Sequence, residues 1–315
     1  MDLFRKKPVS FSLIVPVYNS EKTVTELARR IRAVFEALCE EYELVMVDDG
    51  SRDRVWTVMK QIALEDRRVK IVRLARNFGQ QNAVLCGLKF CRGEFVITLD
   101  DDLQDPPEEI PKLIEAIRTD PETDVLCGRP GRHSTFRGFF GFLYHSLQNL
   151  IFKTDVRLRV TSYKIMRRRV VEEILKNGSK NPLMGDILLG LTNRIKNIDL
   201  RREERHAGRS GYTAGKLISQ SWTMVVQQSD LPLQLISFLG FASAFGSVAM
   251  IAFYLARYFI GGVGVSGWTT LVLINLFFPG MILFSFGVIG QYLIRILKEV
   301  NSTPQYVIRE TKGAE

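Results

Sequence analysis

Up to Gly128 the chain alternates short apolar, β-rich runs with stretches whose apolar residues recur at helical spacing. That is the pattern of a mostly parallel sheet with flanking helices, an α/β fold. Strands are predicted at Phe11 to Val15, Glu43 to Val47, Lys70 to Leu74, Glu94 to Leu99 and Asp124 to Cys127. Helices are predicted over Thr23 to Cys39, Arg54 to Leu64, Gln81 to Phe90 and Pro107 to Arg118. Ligands of such folds bind just beyond the carboxyl ends of the strands, which points to Pro16 to Asn19, Asp48 to Asp53, Arg76 to Gln80 and Asp100 to Gln104.

After Gly128 the periodicity loosens and basic residues crowd in, with helical readings near Phe139 to Phe152, Arg169 to Lys176 and Ala214 to Gln228. The last of these mixes Leu217, Trp222 and Met224 with Lys216 and polar residues, a composition suited to lying at headgroup depth. The final third differs in kind. No Asp, Glu, Lys or Arg occurs from Leu231 to Leu255 or from Tyr258 to Ile294, and each stretch contains a run longer than the roughly 20 residues that cross a bilayer. Two transmembrane helices are predicted, about Leu235 to Ile260 and Trp268 to Leu293, with Arg257 near a helix end, where it can snorkel. The turn 261–267 is uncharged, whereas Arg201 to Lys216 precede the first span and Arg295 and Lys298 follow the second. Positive-inside bias therefore places both flanks in the cytoplasm. The expected organisation is a cytoplasmic catalytic domain over 1–212, an interfacial amphipathic helix over 213–232, two spans within 233–297 and a cytoplasmic tail over 298–315.

The net charge of +9 would suit nucleic acid, a membrane surface or an anionic substrate. Its location decides: Lys and Arg concentrate from Arg129 to Lys216 and from Arg295 to Lys298, flanking the apolar third, so anionic lipid is the expected partner and nucleic acid is not. Cys39, Cys86, Cys91 and Cys127 show no metal spacing and read as reduced core residues, and His133, His145 and His206 do not cluster. The apolar run near the N-terminus is short and broken by Pro16, so it reads as a first strand and not as a signal peptide.

Chemistry concentrates in Asp100-Asp101-Asp102-Leu103-Gln104, directly after an apolar strand. An Asp-X-Asp at a strand end puts two carboxylates on one side of the chain, as a hard divalent cation requires when it also bridges phosphate oxygens. Asp100 and Asp102 are the candidate metal ligands, with Gln104 a third; an acidic turn capping the helix after Pro107 is the alternative reading. A second acidic loop, Asp48-Asp49-Gly50-Ser51-Arg52-Asp53, offers a carboxylate to a base or ribose, with Asp53 better suited to capping the next helix. Pro16-Val17-Tyr18-Asn19 sets an aromatic face beside polar groups, suited to a nucleobase or to an ordinary turn.

In this order, Pro-Val-Tyr-Asn, Val-Asp-Asp-Gly-Ser, Arg76-Asn77-Phe78-Gly79-Gln80 and Asp-Asp-Asp-Leu-Gln-Asp-Pro-Pro-Glu resemble the family 2 glycosyltransferases of the polyprenyl-phosphate, dolichol-phosphate mannose synthase-like branch. Gly290-Gln291-Tyr292-Leu293-Ile294-Arg295, with Glu299 and Pro304-Gln305-Tyr306, is similar to that branch after its second span. The resemblance implies a GT-A fold, Mg2+ or Mn2+, and inverting transfer from a nucleotide-sugar, a UDP- or GDP-sugar with UDP favoured, to a polyprenyl phosphate. It also implies a homo-oligomer, a tetramer packed through spans and tails. On the same basis Asp49 contacts the base, Asp100 and Asp102 hold metal and diphosphate, and Gln104 completes that site; Pro16, Tyr18, Asn19, Asn77, Gln80 and Asp101 are the further candidates for binding the nucleotide-sugar.

On the acceptor side, Arg129 follows the fifth strand, and Arg205-His206-Ala207-Gly208-Arg209-Ser210-Gly211-Tyr212 resembles the family's Arg-x-x-Gly-x-Ser-Lys-Tyr, with Gly211 where Lys is usual. Arg129, Arg205 and Arg209 suit a phosphate by bidentate contact, or a membrane surface by charge. Many relatives carry an acidic residue before a Phe-Arg pair where this chain reads Arg159-Val160-Thr161-Ser162-Tyr163-Lys164, so no general base is assigned. The rival readings are a transferase acting on a glycolipid or polysaccharide, and a catalytically silent nucleotide-binding scaffold. The first lacks its Gln-x-x-Arg-Trp segment here, and the second would have no need of Asp49, Asp100 and Asp102.

Overall fold

The computed structural model describes residues 9–130, 158–176, 184–203 and 304–313, together with scattered helical positions between 238 and 297. The chain divides into two compact units, Met1–Gly211 with Thr303–Glu315, and Tyr212–Ser302.

The first unit is built on β1 (Phe11–Val17), β2 (Tyr42–Asp48), β3 (Val69–Leu74), β4 (Phe95–Thr98), β5 (Val125–Pro130), β6 (Lys164–Arg167), β7 (Ile195–Leu200) and β8 (Ile308–Lys312). They form a single sheet in the order β7-β5-β6-β4-β1-β2-β3-β8. The pairs β1/β2, β1/β4, β2/β3 and β5/β7 are parallel, whereas β6 runs antiparallel to both neighbours and β8 antiparallel to β3. Helices α1 (Val24–Leu38), α2 (Val55–Glu65) and α4 (Ile110–Thr119) pack on one face with Leu13, Val15 and Val17 of β1. On the other face α3 (Gln80–Phe90), α5 (Arg168–Lys176) and α6 (Met184–Leu191) pack with Ile14, Val45, Val47 and Val72. Both faces are thus covered, and for that reason β1, β2 and β4 are buried at every position and mostly apolar instead of alternating.

All five predicted strands occur. Those that local pattern does not reveal are β6, β7 and β8, with α6 beside them. Strand β6 is a four-residue run bounded by Lys164 and Arg167, and β8 has mostly exposed, polar residues on an edge, where one neighbour suffices and no apolar alternation is demanded. The C-terminal segment, expected as a cytoplasmic tail, pairs through β8 with β3 and belongs to the first unit.

In the second unit the described helical positions Phe286, Ile289, Leu293 and Leu297 expose large apolar side chains. Among the described residues no helix is long and apolar enough to cross a membrane. The predicted helix over 139–152, Arg205, Arg209 and the interfacial helix over 213–232 lie outside the described residues, as does most of the two predicted spans.

Candidate functional site

Strand order reverses at β1: β2 and β3 lie to one side of it and β4 to the other. Loops leaving neighbouring parallel strands at such a point part to opposite faces and open a crevice. Register brings them level. Val17 pairs with Asp48 and Ile14 with Thr98, so the residues after β1, β2 and β4 emerge at one end of the sheet.

They enclose a cavity of about 580 Å³. Pro16, Tyr18, Asn19, Asp49, Asn77 and Gln80 line it, and so do Asp100, Asp101 and Asp102. Residues Ser20 to Thr23 extend the lining beyond the part of the β1 loop singled out from sequence.

The three aspartates do different things. Strand β4 ends at Thr98, so the triplet sits in a turn and not on the strand. Asp100 is gripped at both oxygens: Gln80 Nε2 donates to Oδ1 at 2.5 Å and Ser162 Oγ donates to Oδ2 at 2.8 Å. Asp101 turns away toward β1, where its Oδ2 accepts the Tyr18 backbone N–H at 3.0 Å and the Ser20 hydroxyl. It latches the β1 loop to the β4 turn. Asp102 Oδ1 accepts the backbone N–H of Gln104 at 3.1 Å. Burial, with Asp102 nearby, raises the Asp100 carboxyl above the usual range despite the Ser162 hydrogen bond. Burial likewise pushes Asp101 and Asp105 up to about 6. The turn is therefore a desolvated acidic cluster.

Two non-glycine residues in left-handed conformations flank this cluster, Asn19 at φ 53° and Leu103 at φ 59°. Leu103 is 5 % exposed and belongs to the core cluster, so burial of its side chain holds a strained backbone in place.

The β2 loop is stitched to its neighbours. Ser51 Oγ accepts from Asn19 N–H at 3.0 Å, Asn19 Oδ1 accepts from Arg52 N–H at 2.9 Å, and Asp53 accepts from Glu21 N–H at 3.0 Å and from Val55 N–H, at the start of α2, at 3.2 Å. Asp49 accepts from Phe78 N–H at 2.7 Å and Gly79 N–H at 2.9 Å, so it organises the β3–α3 loop while lining the cavity. Burial raises its carboxyl, and those two N–H groups pull it back. Gly50 has φ +68°, and a Cβ there would lie 2.5 Å from the Arg76 carbonyl carbon. Gly50→Ala is expected to cost about 1–3 kcal/mol through strain and to displace the Arg76–Asn77 backbone; thermal denaturation checks the first effect.

Two sequence-predicted residues sit elsewhere. Gln104 is not among the lining residues: its backbone N–H bonds Asp102, and its carboxamide oxygen accepts from Arg202 at 3.0 Å. Arg129 is the penultimate residue of β5, which β6 separates from β4, about 10 Å along the sheet. Its guanidinium pairs with Asp199 on β7. Ser162 is the residue that sequence reasoning missed. It follows no predicted strand, and its hydroxyl meets Asp100 only because β6 pairs with β4, Lys164 opposite Thr98. Among the described residues no group of three or more His, Cys, Asp or Glu converges as a ready-made metal cage.

The comparisons agree with this geometry. The profile of glycosyl transferase family 2 matches residues 12–175. An undecaprenyl-phosphate 4-deoxy-4-formamido-L-arabinose transferase of Pseudomonas fluorescens is 32 % identical over 95 % of this chain and 89 % of its own. A prophage-derived bactoprenol glucosyl transferase of Shigella flexneri is 31 % identical over 96 % of this chain and 98 % of its own. Glucosyl-3-phosphoglycerate synthase of Mycobacterium tuberculosis, solved with Mn2+, UDP and glucosyl-3-phosphoglycerate, superposes with a TM-score of 0.51 at 18 % identity over 69 % of this chain and 77 % of its own, a likeness of fold. A mostly parallel sheet whose strand ends gather the acidic turn into one cavity, in a chain matched by the family profile across that sheet, makes this protein a member of glycosyl transferase family 2.

Proposed function

We propose that the protein moves a sugar from a nucleotide-sugar, a UDP-sugar, to a polyprenyl phosphate at the cytoplasmic face of a membrane, inverting the anomeric carbon with the help of Mg2+ or Mn2+. The observation that supports it is the meeting of Asp100 and Asp102 with the loops after β1, β2 and β3 in one cavity, in a chain similar nearly end to end to sugar transferases named for undecaprenyl phosphate and bactoprenol.

The donor set fits a hard divalent cation. Asp100 and Asp102 are carboxylates on one turn, the charge of Asp102 helps raise the proton affinity of Asp100, and a cation held by them would relieve that repulsion. When bound, it would neutralise charge on the departing nucleoside diphosphate. The protein's own part is positional. Gln80 and Ser162 aim Asp100, Asp101 keeps Tyr18 beside the turn, and Asp49 holds the loop that carries Asn77. A lipid phosphate is already an anion near neutral pH, so its oxygen can attack directly without a protein base. Arg205 and Arg209 are proposed to hold that phosphate, and Arg129 would join them by exchanging Asp199 for it. The apolar runs at 235–260 and 268–293 are proposed as two spans that keep the reaction at the bilayer surface.

The test is sugar transfer by the detergent-solubilised protein, offered radiolabelled nucleotide-sugars and undecaprenyl phosphate with and without Mg2+ or Mn2+. Label reaching the organic phase from one donor, only with metal, is the expected result. Failure of every donor while metal-dependent nucleotide binding persists would move the acceptor to a glycolipid or polymer. Ser162→Ala is expected to raise the metal concentration for half-maximal rate about tenfold, the loss of one hydrogen bond to a charged group, as a Mn2+ titration would record.

A further inference from the structure

Strand β8 makes no contribution to the chemistry described so far, yet it pairs with β3, the strand whose following loop lines the cavity. Leu74 pairs with Ile308, and the Ala75 N–H donates to the Val307 carbonyl at 2.8 Å, immediately before the loop that supplies Asn77 and Gly79 to the cavity lining. Just ahead of β8, Tyr306 packs on the core cluster under α3. Its phenol oxygen is buried against the Cys86 thiol, and the Lys89 ammonium lies 5.1 Å from its ring centroid. Cys86 and Lys89 belong to α3, whose first residue, Gln80, grips Asp100.

Within β8, Glu310 accepts from Trp56 Nε1 at 3.1 Å and pairs with Lys60 at 2.7 Å, and the Arg73 guanidinium lies near enough to favour its ionised form. Arg73 sits over the Trp56 ring, 5.6 Å from its centroid, and reaches Asp48 at 3.1 Å. Asp48 in turn accepts the Ser51 N–H at 2.8 Å, and Ser51 accepts from Asn19. Two relays of contacts therefore start on the C-terminal segment and finish on cavity-lining residues, one through α3 and one through Arg73 and the β2 loop.

We infer that the C-terminal segment 304–313 is a positioning element for the donor side of the cavity, with Tyr306 and Glu310 as its anchors. The exposure of Val307 to Thr311 shows that apolar burial holds little of this strand in place, so the two anchors and the backbone ladder to β3 carry its attachment. Loosening it leaves the sheet intact and frees the β3–α3 loop. The ligand in this inference rests on the proposed nucleotide-sugar donor; the ordering of the loop does not.

The full-length protein with Tyr306→Ala or Glu310→Ala, and Glu310→Gln as the milder change, would be followed by amide hydrogen exchange and by calorimetric titration with UDP and GDP in Mn2+. Exchange at Phe78 and Gly79 is expected to quicken about tenfold while amides of β5 and α4 stay unchanged. The Kd for the nucleotide and the donor KM should rise about five- to tenfold, with kcat and the acceptor KM within about twofold. Unchanged exchange at Phe78 and Gly79 would overturn the inference, as would equal acceleration throughout the sheet, the mark of general destabilisation. Faster local exchange in a protein that binds neither nucleotide even as wild type would retain the ordering role and remove the donor reading.

Discussion

Asp102→Ala is expected to lower sugar transfer by at least about 10³-fold, a loss on the order of 4 kcal/mol of transition-state stabilisation, and to leave the melting temperature nearly unchanged. Asp102 lies on a turn in the cavity wall, and its side chain accepts the Gln104 N–H, a bond that spans only two residues. Removing it also takes away a like charge beside Asp100, which offsets the small loss of turn structure. The control is Asp101→Ala. Asp101 ties the turn to Tyr18 and Ser20, so its loss should disturb the β1 loop and raise donor KM more than it lowers kcat. Turnover measured across a range of Mg2+ and Mn2+ concentrations decides the matter: near wild-type rates for Asp102→Ala at high metal would exclude it as a metal-holding residue.

Lys70→Met has the opposite signature, a large loss of stability with the site left alone. At the far end of the strands from the cavity, Lys70 pairs with Glu43 at 2.6 Å, their side chains 10 % and 5 % exposed. Glu43 also accepts from Ser12 Oγ at 2.6 Å and from the Arg92 N–H at 2.5 Å, while Lys70 donates to the Phe90 carbonyl at the end of α3. Methionine would fill the space of the lysine stem but leave a carboxylate buried without its cation, at a cost of about 3–5 kcal/mol. The double variant Lys70→Met with Glu43→Leu should recover part of that loss, because no buried charge then remains. Thermal melts of the two variants check this, and per-molecule activity of the folded fraction should match wild type.

These two predictions draw on different kinds of information. The Asp100–Asp102 turn and the loops at Tyr18 and Asp49 were readable because they are local: each follows a mostly apolar strand buried at every position, and strand ends are where α/β sheets expose polar groups. The Glu43–Lys70 pair was not. Each of its members opens a predicted strand, and only the β2–β3 register and the helix end at Phe90 make them partners.

The same division runs through the site. Which residues reach the cavity wall after β1, β2 and β4 follows from local order along the chain, since a short apolar run that ends in polar residues has few ways to sit in a buried parallel sheet. What each carboxylate does there follows from pairing across long stretches of chain. Ser162 meets Asp100 across 62 residues, Tyr18 and Ser20 claim Asp101 across more than 80, and Arg202 binds the Gln104 carboxamide. The sequence by itself determined the α/β layering, the acidic turn, the neighbouring loops and the family resemblance, because periodicity and short motifs are properties of contiguous residues. The tertiary structure alone decided that Asp101 latches a loop, that Ser162 supports Asp100, that Arg129 faces Asp199 and that the C-terminal segment rejoins the sheet beside β3. Contacts of that kind depend on strand order and register, which no local pattern encodes.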